Sequence, residues 1–390
     1  MAKNPVLASL AFLLTVGATP ATAAPDGTAP EYGVTVLQPL PGDLEDRAEA
    51  INEHGLVVGA STNLDVGPER AVRWDRDGTA HALPTLGGDN SRAYGVNGSG
   101  VIVGESQTPD ETVHAVRWDR GRVRDLGALP GDGYSSAQWI TDAGVVYGRS
   151  GPELDGPWTA VRWTGKDGPT PVAVPPGYVR CAVSATAGGV EYGGCALADG
   201  TSRATRWSRD GTPVLLPTLG GDIVRAATER GVLVGASGVG TKVPVRWNRD
   251  DTLTRLSPVV GSPSTVASAI SENGYIAGFG YSQYPWSGTP VRWDPDGTAH
   301  RLDLPPNRVE AVPAAVDGHG RVYGSVTAPL FVSDAVVWDR DGHTTALPNP
   351  DAERFTASGV DTITGSGLVL GSFFATAEFK GFAAVWRPNH

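Results

Sequence analysis

The chain has 390 residues, including 52 Gly and 31 Pro, and a formal charge of −11. So many helix breakers exclude long helices, and the acidic balance argues against nucleic acid or an anionic membrane surface as a partner. No stretch of 12 or more residues has apolar positions at i, i+3, i+4 and i+7 without a Gly or Pro inside it, whereas short Val-rich runs bounded by Gly, Asp and Asn recur throughout. The expected class is all-β.

The N-terminus comes first. Lys3 gives a positive start, Val6 to Ala18 is an apolar run too short to span a bilayer, and Ala21-Thr22-Ala23 matches a small-x-small cleavage site. Residues 1–23 are therefore expected to be a secretory signal peptide, 24–33 an N-terminal tail, and the mature protein secreted and extracellular. No other segment approaches transmembrane length, so no membrane insertion is expected.

From there the chain repeats. Trp74, Trp118, Trp163, Trp207, Trp247, Trp293, Trp338 and Trp386 each close a strand reading Ala-Val-Arg-Trp or a close variant, at spacings of 44, 45, 44, 40, 46, 45 and 48. After each Trp comes a turn such as Asp75-Arg76-Asp77-Gly78, and then a segment ending in Leu or Val, as at Leu83 and Leu126. An A-x-x-I/V segment follows, ending in Asn52, Asn97, Thr141, Ser184, Thr228, Ser271, Asp317 or Asp361. Each of these side chains carries an oxygen that accepts a backbone N–H, so all eight are expected at hairpin turns. A Gly-x-x-x-Gly strand such as Gly55 to Gly59 completes the unit, its first Gly supplying φ > 0.

Four strands in about 45 residues, repeated eight times, predict a β-propeller of eight four-stranded blades over residues 34–386, with 387–390 a C-terminal tail. The chain opens on a Leu-bearing strand, Val34 to Leu40, and closes on a Trp-bearing one. Those two strands are adjacent in every other unit, so the N-terminal strand should become the outer strand of blade eight and leave no free edge. A monomer is expected.

The repeats resemble the HAF family of extracellular repeats, named for a His-Ala-Phe stretch before a Trp. The matching pieces are His114-Ala115-Val116-Arg117-Trp118, Leu126-Gly127, Ile51-Asn52 and Gly55-Leu56-Val57-Val58-Gly59. The chain departs in having Val for Phe, and His in a single copy. The resemblance implies a secreted, propeller-like protein, and the family has no established reaction or catalytic residues to carry over to this chain.

Specific chemical signatures are missing: there is no Gly-x-Ser-x-Gly, His-Glu-x-x-His, Walker loop or paired Cys-x-x-Cys. His54 and His319 occupy the same position of two units and read as turn tips. The Asp-x-Asp-Gly turns suggest calcium, but they lack the further oxygens a calcium loop needs. No cofactor and no metal site are expected. Cys181 and Cys195 lie symmetrically about Gly188 and predict one disulfide across paired strands.

Departures from the repeat are more informative. Before the I/V position the copies read Ala50, Gly95, Trp139, Ala182, Ala226, Ala269, Ala315 and Gly359, so Trp139 stands out as a platform or a gap filler. Unit six carries Phe279, Tyr281, Tyr284 and Trp286 in one loop, unit three has Trp158 in the corresponding loop, and unit eight has Phe373, Phe374, Phe379 and Phe382. Aromatics on loops of a rigid scaffold suit a sugar or a peptide, or form a local cap. Trp139, Trp158, Phe279, Tyr281, Tyr284 and Trp286 are the candidate ligand-binding residues, and no catalytic residue is assigned. The favoured reading is a non-catalytic binding or scaffold protein for an extracellular carbohydrate or protein. The rival is a propeller hydrolase or lyase using carboxylates at the channel mouth, with Asp43, Asp89, Asp132 and Asp222 as candidates.

Overall fold

Gly and Pro interrupt the chain every few residues, which keeps its strands to between 2 and 9 residues. The computed structural model describes residues 30–63, 67–165, 168–283, 286–329 and 332–389, and its regular elements are thirty-two strands. The expected signal peptide lies outside the described residues. The strands form eight antiparallel four-stranded blades, each running from an inner to an outer strand. Blade one consists of Glu45–Ile51, Val57–Thr62, Arg70–Trp74 and Ala80–Ala82.

Blade eight contains Ala357–Ile363, Val369–Ala375 and Lys380–Pro388, and its outer strand is the N-terminal Tyr32–Val36. Val34 pairs with Trp386 and Val36 with Ala384, and the Leu37 N–H donates to the Ala383 carbonyl at 2.8 Å. The ring is therefore closed by its own first strand, which begins two residues before the expected Val34. The antiparallel order creates two faces. The hairpin face carries the turns between first and second strands and between third and outer strands. The loop face carries the second-to-third loops and the crossings to the next blade.

The core lies between neighbouring blades. All eight repeat Trp side chains are at most 2 % exposed. Each removes ~150–250 Å² from water, worth roughly 4–6 kcal/mol at ~25 cal/mol per Å². Trp74, for example, packs with Leu37, Val57, Val72, Leu370 and Val385 at the seam of blades eight and one.

Hairpin turns follow the expected chemistry in six of the named positions. Asn52 Oδ1 accepts the Leu56 N–H at 3.0 Å, Asn97 Oδ1 that of Val101 at 2.9 Å, and Thr141 Oγ1 that of Val145 at 3.1 Å. Thr228, Ser271 and Asp317 repeat the bond. Ser184 and Asp361 do not. Blade four turns at Gly188-Gly189 with Ala187 opposite Val190, and blade eight uses Thr364, which accepts from the Leu368 N–H. Val183 and Val360 mimic the I/V position three residues too early, so the position beside Trp139 in the pattern is filled by Ala185 and Thr362, not Ala182 and Gly359.

Ser184 and Asp361 occupy a β-bulge instead. Every inner strand has one, as between Ala48 and Ala50 or between Ala137 and Trp139. The bulge explains the second glycine of Gly-x-x-x-Gly. A Cβ on Gly59 would sit 1.9 Å from the Arg47 carbonyl oxygen, and one on Gly235 would sit 1.8 Å from that of Ile223. The first glycine has a different reason, with φ of 79° at Gly55 and 85° at Gly274.

Candidate functional site

The structure divides the candidate residues between the two faces. Trp139 lies three residues before its hairpin turn begins at Asp142, and so belongs to the hairpin-face mouth of the central channel, near Asn52, Asn97 and Thr364. Its ring stacks on Tyr147 at a centroid distance of 4.4 Å and an interplanar angle of 15°, and its Nε1 donates to the Val183 carbonyl at 3.3 Å. Room for it comes from Gly95 on the neighbouring inner strand, where a Cβ would lie 3.1 Å from the Trp139 Cα. One ring face and the only donor of this indole are thus used inside the protein. Tyr147 in turn donates to Glu191 Oε1 at 2.8 Å, and Glu191 also receives Arg162 at 2.8 Å.

Trp158 and the unit-six aromatics are on the loop face, three blades apart. Trp158 is half-buried against the cluster containing Cys181 and Cys195, with the Arg180 guanidinium 5.8 Å from its ring. Blade six extends its second and third strands, Ile276–Gln283 and Trp286–Trp293, into an eight-rung ladder, the longest such pair among the described residues. Phe279 and Tyr281 stand on one face of this ladder, both half-buried, with ring centroids 6.1 Å apart. Arg225 of blade five, whose pKa burial lowers, has Tyr281 in its electrostatic reach. Tyr284 lies outside the described residues, as does the side chain of Trp286.

In blade eight the aromatics form a cap. Phe373 and Phe382 are 1 % and 7 % exposed and pack around Phe355, with Arg354 over the rings of Phe355 and Phe382. Phe374 and Phe379 remain exposed.

Three of the four candidate carboxylates are turn caps. Ser61, Ser150 and Ser237 donate to Asp43, Asp132 and Asp222 at 2.6, 2.7 and 2.5 Å, and the same hydroxyls accept the N–H groups of Leu40, Leu129 and Leu219. Asp89 is exposed. The Asp-x-Asp-Gly turns spend their oxygens in a similar way: Asp77 accepts the Thr79 N–H at 3.0 Å, while Arg73 and His81 hold Asp75. His54 and His319 sit at exposed turn tips. Among the described residues no cluster of three or more His, Cys, Asp or Glu side chains is placed to hold a metal ion.

Two other carboxyls are perturbed. Asp361, at the bulge of blade eight, is solvent-accessible yet crowded by protein, and this desolvation, with Glu49 adding to it and Arg47 opposing, raises its pKa to about 6. Burial raises Asp46 to about 7, although its Oδ1 accepts the Ala383 N–H at 2.7 Å. The corresponding positions of blades two, three and eight are Ser91, Ser135 and Ser358, each accepting an N–H of the preceding blade.

The disulfide is formed. Cys181 and Cys195 face each other in the register of blade four, with Cα atoms 4.0 Å apart and a bonded S–S pair. A loop of 14 residues gives ~3 kcal/mol on the chain-entropy estimate.

A cavity of about 860 Å³ lies on the hairpin face between blades two and three. Its arginines, Arg117, Arg120, Arg122 and Arg124, were legible as the run Arg117-Trp118-Asp119-Arg120-Gly121-Arg122-Val123-Arg124, whose two-residue turn departs from Asp-x-Asp-Gly. The repeat pattern drew attention to aromatic departures and passed over this basic one.

No protein-family model matches the chain, and no curated protein matches it. Among solved structures it is similar to a post-proline cleaving enzyme from Rickettsia typhi, at 8 % identity and a TM-score of 0.51, covering 86 % of this chain and 57 % of that one. It is likewise similar to puromycin hydrolase, at 15 % identity and a TM-score of 0.50, covering 86 % and 59 %. Virginiamycin B lyase from Staphylococcus aureus aligns over 91 % of this chain and 99 % of its own, at 11 % identity and a TM-score of 0.44. The chain thus spans less than two thirds of the first two proteins, and at these identities the likeness concerns the fold, which is an all-β propeller.

Proposed function

We propose that the chain is a secreted, non-catalytic propeller that binds an extracellular carbohydrate or protein through the aromatic loop face of blade six. The carrying observation is the eight-rung ladder of that blade, which presents half-exposed Phe279 and Tyr281 side by side. Aromatic rings on a rigid strand pair offer contact area at low entropic cost. The capped state of Asp43, Asp132 and Asp222 supports binding over catalysis, because each carboxylate is already committed to a loop. The HAF-family resemblance and the N-terminal signal pattern support secretion.

The test is a glycan and polysaccharide array probed with mature protein, with products followed by mass spectrometry. Tyr281→Ala and the double variant Tyr284→Ala/Trp286→Ala should each weaken binding of the captured ligand at least about tenfold, in the range of lost aromatic contacts. Unchanged binding by folded variants refutes the site, and a shortened glycan product favours the hydrolase or lyase alternative.

A further inference from the structure

The cleft between blades two and three is a built feature of one seam. Seven repeat indoles donate Nε1–H to the carbonyl that follows an outer-strand Leu or Val, as Trp118 does to Pro84 at 2.7 Å and Trp207 to Ala173 at 2.7 Å. In blade three that carbonyl belongs to Gly127, whose φ of 73° directs it elsewhere, and it accepts from Ser135 Oγ at 3.0 Å. Trp163, 2 % exposed, is left with a buried Nε1–H that has no acceptor among the described residues. A buried donor without a partner is costly, and it gains from any acceptor a ligand supplies.

The charges around it point the same way. Trp163 forms the cleft wall together with Arg117, Arg120, Arg122 and Arg124, against which stand Asp119 and Asp142. Asp142 already accepts the Gly98 N–H at 2.7 Å, and Asp119 meets Arg117 and Arg120 only at 3.5 and 4.0 Å. Arg124 reaches the Gly165 carbonyl at 3.3 Å, while Arg122 has no side-chain partner among the described residues. A local excess of arginine on a chain of charge −11 marks a place where anionic ligand groups are held against the overall field. Guanidinium groups take carboxylates and sulfates through paired N–H bonds, and the cleft volume suits a short oligosaccharide.

The geometry points to a second ligand site here, for the carboxylate or sulfate group of an acidic oligosaccharide, on the face opposite the aromatic ladder. The site does not depend on the aromatic one, and the experiment separates them. Full mature protein is titrated calorimetrically with digalacturonate, with a sulfated disaccharide and with neutral galactobiose at low salt. At least one acidic sugar should bind and the neutral sugar should not, and the acid that binds identifies the group recognised. Arg122→Glu/Arg124→Glu, and the milder Arg122→Gln/Arg124→Gln, should weaken that binding tenfold or more. Trp163→Phe should weaken it several-fold with the melting curve retained, and Tyr281→Ala should leave it unchanged. Failure of both acids at millimolar concentration, equal binding of the neutral sugar, or full affinity in both arginine variants overturns the site.

Discussion

The seam between blades eight and one and the seam between blades two and three are built from the same repeat, yet the first is sealed and the second gapes on its hairpin face. At the first, Trp74 Nε1 donates to the Gln38 carbonyl at 2.8 Å, and the Gly78 carbonyl accepts the Gln38 N–H at 2.9 Å. Glu53 of blade one also accepts the N–H groups of Gly365 and Ser366 in blade eight. At the second seam, the blades are joined on the loop face by a parallel bridge between Tyr134 and Val113. On the hairpin face, among the described residues, Trp163 finds no acceptor and a Cβ on Gly168 would meet nothing within 4 Å, whereas one on Gly78 would be 2.8 Å from the Val36 carbonyl oxygen. Sealing therefore follows the carbonyl after the outer strand, which must face the incoming indole: in blade six a Cβ on Gly297 would also meet nothing within 4 Å among the described residues, yet Trp293 Nε1 donates to the Ser257 carbonyl at 3.0 Å.

The largest expected effect comes from breaking the sealed seam. Deleting Tyr32 to Leu37 removes five ladder pairs and the fully buried Leu37, and exposes the edge of Lys380–Pro388. A loss well above about 3 kcal/mol should follow, since truncating one buried Leu alone costs that much. An unchanged melting temperature would remove the first strand from its role in closure.

A smaller effect concerns Asp46 at the same seam. Its folded pKa of about 7 lies above its unfolded value, so the folded protein holds the proton between about pH 4 and 7. Stability is lost as pH rises through that window and stays low above it, by roughly 2–4 kcal/mol. Asp46→Ser, which installs the residue used in other blades, should raise the melting temperature at pH 8 and change little at pH 4. Equal shifts at both pH values would show that Asp46 does not titrate on folding.

The smallest effect closes the open seam. Gly127→Pro copies Pro84 and Pro217 at the equivalent positions and forbids φ > 0. It should return an acceptor to Trp163, stabilise the fold by about 1 kcal/mol after the loss of the Gly127 N–H bond to Asp125, and abolish acidic-sugar binding. A lower melting temperature with the ligand still bound would show that the carbonyl is not what holds the cleft open.

The architecture was readable from the spacing of eight Trp residues, because blade packing imposes one large side chain per unit. Ring closure was readable from the phase of the first and last strands. Ser184 and Asp361 misled because Val183 and Val360 satisfy the template locally, and only the ladder register shows which residue is the bulge. The partners of the repeated Arg could not be inferred, since they vary: Arg73 pairs within its own turn, Arg162 with Glu191 and Arg206 with Asp251 of the next blade. In His114-Ala115-Val116-Arg117-Trp118-Asp119 the His turns out to bond Asp125 at 2.8 Å, a cross-strand pair rather than a reactive one. Trp139 was visible as an exception, but its stacking on Tyr147 depends on a contact between neighbouring strands that spacing alone does not encode.

The glycine at each inner-strand bulge has an evolutionary consequence. Within this chain Arg gives way to Val337 and Val385, and the hairpin Asn to Thr, Ser, Asp or Ala187, as the blades drift apart from their common unit. At the bulge, Gly59, Gly104, Gly148, Gly193, Gly235, Gly278, Gly324 and Gly371 have not changed, because any Cβ would lie between 1.8 and 2.3 Å from a backbone oxygen. In more diverged descendants of the same unit, this glycine is therefore the mark by which the blades should still be counted after the Trp and the Arg have gone.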